Sequence, residues 1–121
     1  MKSSRILFAI VSFGWLAAAA SQEPAKALYV VTYVDVYPNF AADAAKALQQ
    51  FATDSRKDAG AVRFEILRDV ARTNHFSIVE VWQTQKAYDA HAAIGHTRLF
   101  REKIQPMLGS PFDERLYNLL Q

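Results

Sequence analysis

The chain has 121 residues, 51% of them apolar and 21% charged, which fits one folded domain and excludes a disordered chain. Cysteine is absent, which excludes a disulfide scaffold, a thiol nucleophile, a Cys-based zinc site and a lipid anchor on Cys. The formal charge of +2 is uneven: Lys2 and Arg5 account for all of it, since removing them leaves 12 basic residues against 12 acidic ones, with no electrostatic footprint for nucleic acid.

Residues 1–20 have the three parts of a secretory signal. Lys2 and Arg5 precede an apolar run from Ile6 to Ala20, and Ala18, Ala19 and Ala20 offer a cleavage point before Ser21. The run is about 15 residues long, short of the roughly 20 that span a bilayer, so the expectation is cleavage and a periplasmic or secreted protein with no stable membrane span. The alternative is a retained anchor. Residues 21–27 read as a short linker and residues 28–121 as the domain.

"LYVVTYVDV" (Leu28 to Val36) is rich in β-branched and aromatic residues and predicts a strand. Pro38 and Asn39 follow, with Asn39 placed to cap a helix over residues 40–58 whose inward row is Ala44, Ala47, Leu48, Phe51, Ala52 and Ser55. Gly60 stops that helix. "AVRFEILRD" (Ala61 to Asp69) alternates, with Val62, Phe64 and Ile66 opposite Arg63 and Glu65, and predicts a half-buried strand. "HFSIVEVW" (His75 to Trp82) is a third strand. Thr84 is placed to cap a helix to about Ala93. Gly95 interrupts, a second short helix over residues 97–106 turns Leu99, Phe100 and Ile104 inward, and "RLYNLL" (Arg115 to Leu120) is a last strand after the "GSPFDE" loop.

Strand, helix, strand, strand, helices, strand predicts an α+β domain with helices on one face of an antiparallel sheet. Both faces of the first and third strands are apolar, and the helices cover only one. Each large apolar side chain left wet costs roughly 1.5–3 kcal/mol. The expected remedy is two-fold self-association through the open face, with a twin subunit sealing a cavity lined by the Trp82 indole. A flexible tail over that face is the alternative.

Asn74, Phe76, Ile78, Glu80 and Trp82 share one strand parity. A Glu among Phe, Ile and Trp is either functional or a buried partner for an Arg such as Arg63 or Arg115. Trp82 is core or pocket wall, its indole N–H needing a partner when buried. Asn74 stands at a turn exit, where Asn is common for backbone reasons. His91 shares the packed helix face with Ala87, so it is a satisfied core His or a general base. His96 diverges from it unless the break at Gly95 redirects it. His75 has the opposite strand parity and is expected to face the helices or an edge. Three His without a carboxylate at ligand spacing make a poor metal case. Arg98, Arg101 and Lys103 read as a solvated helix face. Phosphate-loop and G-x-S-x-G motifs are absent.

The stretches "VTYVDVYPN", "NHFSIVEVW", "AYDAHAAIGHTRLF" and "GSPFDERLY", spread over Leu28 to Tyr117, resemble the antibiotic biosynthesis monooxygenase family of the dimeric α/β-barrel superfamily. In that family a Trp ends the third strand and a His follows on the next helix, here Trp82 and His91; a second His before a helix with an inward Phe is His96 and Phe100. The resemblance implies a ferredoxin-like sheet in each subunit, two sheets closing a barrel around a pocket, and oxygenation of a phenol or quinol by molecular oxygen without flavin, haem or metal. It points to His91 and Trp82, with His96 and Phe100 beside them; together with the strand parity this makes His91, Trp82 and Asn74 the candidate catalytic set and Glu80, His96, Phe100, Phe76 and Tyr117 the candidate substrate contacts, Tyr117 either reaching the pocket from the last strand or simply packing. Haem-degrading relatives carry an Asn on the first strand; Thr32 and Tyr33 stand there instead, which argues against haem degradation. A hydrophobic carrier or stress protein, or a small isomerase, are the alternatives that share the pocket.

Overall fold

The computed structural model describes Pro24 and residues 26–120; the signal and most of the linker expected from the sequence lie outside the described residues. Strand β1 (Leu28–Asp35) leads through a 3-10 turn (Pro38–Phe40) into helix α1 (Ala41–Ser55). Strands β2 (Ala61–Arg68) and β3 (His75–Trp82) follow as a hairpin, then helices α2 (Gln85–Ala93) and α3 (Gly95–Ile104), a second 3-10 turn (Gln105–Met107) and strand β4 (Asp113–Asn118). The four strands are antiparallel in the order β2-β3-β1-β4.

Register fixes which side chains share a face. Leu28 pairs with Trp82, Val30 with Glu80, Thr32 with Ile78 and Val34 with Phe76, and this set lies under the helices. Tyr29, Val31, Tyr33, Val79, Val81 and Tyr117 occupy the other face, which none of the described helices covers. The core forms between the first set and α1, whose Ala44, Ala47, Leu48, Phe51, Ala52 and Ser55 are buried as the three-and-four spacing requires. Phe51 stacks on Phe100 of α3 with ring centroids 4.0 Å apart, tying the two helices together.

Several local expectations need correction. Asn39 makes no cap; the Phe40 N–H donates to the Tyr37 carbonyl at 2.9 Å, so the backbone closes that turn unaided. The first helix ends at Ser55, three residues short of Asp58, and further turns carry the chain to β2. Val62 is 37% exposed because a bulge between Ala61 and Arg63 breaks the alternation there. The interruption between α2 and α3 is at Ile94, which is extended, and Gly95 opens α3. Leu99 is 60% exposed, since Thr97, Phe100 and Ile104 define the buried stripe. Strand β4 begins at Asp113, two residues early, leaving Leu119 and Leu120 exposed beyond it. His75 faces the open side of the sheet, with Nδ1 2.9 Å from Asp35 Oδ1 on β1. Thr84 does cap α2, accepting from the Ala87 N–H at 3.1 Å.

Gly60 has a φ of +82°, and a Cβ there would lie 2.5 Å from Cβ of Ala87. The bare glycine therefore lets α2 sit directly on the turn that carries Asp58. Gly60→Ala is expected to destabilise the fold by about 2–4 kcal/mol, the sum of left-handed strain and overpacking, read as a lower urea midpoint. An unchanged midpoint would show that α2 does not need this close approach.

Candidate functional site

Three segments meet above the sheet. Strand β3 contributes Glu80 and Trp82, α2 contributes Tyr88 and His91, and the turn after α1 contributes Asp58. His91 is buried, 4% exposed, with its ring centroid 4.5 Å from that of Trp82. Its Nδ1 lies 2.8 Å from Asp58 Oδ2 and its Nε2 lies 3.6 Å from Glu80 Oε1, the second too long for a direct hydrogen bond. The Trp82 indole N–H donates to Glu80 Oε1 at 3.0 Å. His96 reaches the same Asp58 oxygen through Nε2 at 2.9 Å. The Ile94 break is what allows this: it turns α3 so that both imidazoles converge on one carboxylate.

The electrostatics give each group a role. Burial holds the His91 imidazole below its ordinary pKa, with the Asp58 hydrogen bond pulling the other way. Burial thus favours the neutral form of the ring at pH 7. The Asp58 carboxylate accepts, so the proton is assigned to Nδ1 and the lone pair to Nε2. Glu80 is pushed up to about 7, chiefly by burial and against the Trp82 hydrogen bond. A neutral nitrogen base thus faces a carboxyl that holds its proton near neutrality.

Because the folded-state value of Glu80 is raised, its contribution favours the fold in acid and is lost as the pH rises from the unfolded value of 4.5 to about 7. Glu80→Gln keeps an acceptor for the indole and removes this titration. Its stability relative to the parent is expected to climb across that window by about 3 kcal/mol and then level off. Urea melts from pH 4 to 8 check this; a difference that stays flat with pH would contradict it.

A small cavity of about 20 Å³ lies beside this pair, lined by Thr32, Phe51, Ile78, Glu80, Tyr88, His91, Phe100, Arg101, Phe112 and Glu114. It has room for about one water and none for an aromatic ring. Its solvent side consists of Phe112 and the Arg101–Glu114 ion pair, 3.2 Å apart, so these must part to admit a substrate. A wider depression of about 540 Å³ lies on the open sheet face near Tyr33, Arg68 and His75. Several of its charges are already paired, Arg115 with Asp113 at 2.7 Å and His75 with Asp35 at 2.9 Å.

The residues expected from the sequence are therefore divided. Glu80, His91 and Phe100 line the cavity; Trp82 lies behind it, fully buried; His96 joins through Asp58. Asn74 is elsewhere: its Nδ2 donates to the Val36 carbonyl at 2.7 Å and braces the ends of β1 and β3. Phe76 is buried outside the cavity lining, with the Arg68 guanidinium 5.0 Å from its ring centre. Tyr117 is 44% exposed on the open face. The indole lies on the helix-covered face, so the cavity beside it is enclosed within one chain and is not the space that a twin subunit would seal. Neither suggested arginine partners Glu80: Arg63 and Arg115 are both on the other face, and the partners are Trp82 and His91. Arg101, read as solvated, belongs to the cavity mouth. Asp58 is the residue that sequence reasoning missed. It sits 33 positions before His91, and no periodic signal links them.

A four-stranded antiparallel sheet with helices on one face and an acid–base pair beneath them defines an α+β, ferredoxin-like domain with a buried polar site. The family model for antibiotic biosynthesis monooxygenases matches residues 27–103, and the chain belongs to that family. A candidate antibiotic biosynthesis monooxygenase of Nitrosomonas europaea is similar at a TM-score of 0.74 and 21% identity, covering 78% of this chain and 99% of that one. The crystal structure of an antibiotic biosynthesis monooxygenase gives 0.75 and 17%, with coverage of 78% and 99%, and a conserved protein from Methanosarcina mazei Go1 gives 0.74 and 15%, with 78% and 93%. At these identities the likeness concerns the fold. An uncharacterised protein of Synechocystis sp. is 27% identical over 73 residues, 60% of this chain; the chain spans about half the length of that relative. Among the described residues, no helix is long and apolar enough to cross a membrane.

Proposed function

We propose that the chain is an exported, homodimeric monooxygenase that oxidises a small quinol or phenol-like aromatic with molecular oxygen and without a cofactor. The observation that carries this reading is the geometry of the buried His91, whose Nδ1 lies 2.8 Å from Asp58 Oδ2 while its Nε2 lies on the side of Glu80 and the cavity. His91 Nε2 takes the proton of the substrate hydroxyl. The resulting anion gives one electron to oxygen, and the radical pair joins at a ring carbon. One oxygen atom stays in the product, and the other leaves as water. Glu80, with its raised pKa, supplies the proton or hydrogen bond that the leaving oxygen needs. The phenyl rings of Phe51 and Phe100 keep the site dry.

Export is supported by the composition of residues 1–20. Dimerisation is supported by the uncovered sheet face, where Tyr33 and Tyr117 are 43% and 44% exposed beside Val31 and Val79. An isomerase reading has one observation in its favour, since a base opposite a protonated carboxyl also suits enolisation.

The test is oxygen uptake with a panel of quinols, run aerobically and anaerobically. The expected result is consumption of one O₂ per quinol with labelled oxygen in the product. Binding without uptake would make the protein a carrier, and solvent hydrogen exchange without uptake would make it an isomerase.

A further inference from the structure

Asp58 Oδ2, His91 Nδ1 and His96 Nε2 lie within 4.8 Å of one another and come from three separate elements: the turn after α1, helix α2 and helix α3. We propose that these three atoms form a binding site for a divalent first-row transition cation of the zinc class. Two imidazoles and one carboxylate are a borderline donor set that such ions select. Metal bonds of about 2.0–2.2 Å in a tetrahedral site place ligand atoms about 3.3–3.6 Å apart. Both imidazole nitrogens are 2.8–2.9 Å from Asp58 Oδ2 and all three atoms lie within 4.8 Å of one another, so small side-chain rotations bring the three edges to a common length around an ion.

The surroundings suit the loaded state. A metal on Nδ1 moves the His91 proton to Nε2, and that nitrogen then needs an acceptor. Glu80 Oε1 stands 3.6 Å away on that side, in position to close up and fix the ring. The Asp58 and His96 side chains are 10% and 25% exposed, which leaves the remaining coordination positions open to water and gives the ion a path in. Loading and base catalysis exclude each other at His91, because the ion takes the edge that Asp58 uses to orient the ring. The proposal stands whether or not the protein is an oxygenase, and its test uses no substrate.

The full chain, stripped with EDTA, is titrated with Zn²⁺ by calorimetry and with Co²⁺ by visible absorption. One equivalent is expected to bind with micromolar or tighter affinity and to give cobalt ligand-field bands. His96→Ala removes a partly exposed ligand and is expected to weaken binding by more than about 100-fold, and Glu80→Gln by about 10–100-fold. Should His96→Ala fail to fold, the parent decides by histidine modification: His75 and His96 are equally exposed at 25%, and Zn²⁺ is expected to protect His96 alone. No saturable binding below about millimolar metal, binding unaltered by His96→Ala, or equal modification of both histidines would overturn the site.

Discussion

Replacing His91 with alanine is expected to lower kcat for a quinol roughly 10²–10⁴-fold, the range that a positioned base supplies. The residue is the single neutral imidazole on the cavity, and its tautomer is set by a 2.8 Å contact with Asp58. Asp58→Asn leaves the ring in place but no longer secures Nδ1–H, so it is expected to reduce kcat in the same direction with KM little changed. The pH profile adds a sign. Burial lowers the His91 pKa from 6.5, so the base stays competent at pH 6.5 and its activity falls only in more acid solution. Oxygen-electrode rates and near-ultraviolet circular dichroism together check this. A His91→Ala protein that keeps its fold and its rate would remove His91 from the chemistry.

Trp82→Ala is expected to carry the largest cost in stability, about 3–5 kcal/mol. The indole is fully buried and meets Phe64, Tyr88 and His91 in edge or tilted contacts. Its loss leaves a large cavity and takes the hydrogen-bond donor from Glu80. Trp82→Phe keeps a ring in the gap and is expected to cost less than the alanine. It still deprives the carboxylate of its donor, so the Glu80 pKa should rise beyond about 7. Urea unfolding gives the first quantity, and the pH dependence of the melts gives the second. A drop below about 1 kcal/mol for alanine would mean that α2 does not rest on this ring.

These expectations differ in how far the sequence alone supports them. The row Ala44, Ala47, Leu48, Phe51, Ala52 and Ser55 needs no tertiary information, because a helix of 3.6 residues per turn can bury only such a stripe. The alternation of Phe76, Ile78, Glu80 and Trp82 likewise fixes that these four share a face, and Thr84 announces its own cap. Parity says which residues stand together; it is silent on which face the helices choose. Trp82 looks toward α2 while Tyr117, 44% exposed on the opposite face, looks away, a choice that packing makes and alternation does not.

The amino-acid order by itself therefore determined the elements, the antiparallel α+β class and the placing of Glu80 and His91 among apolar neighbours. Only the tertiary structure decided which atoms meet: the extended Ile94 that swings His96 back, the side-chain-free Gly60 that lets α2 descend, and the Asp58 carboxylate that receives both imidazoles. The reason is physical. Periodicity is a property of one element and is written in its own residues, whereas a hydrogen bond spanning 33 positions depends on helix placements set by packing across the whole core.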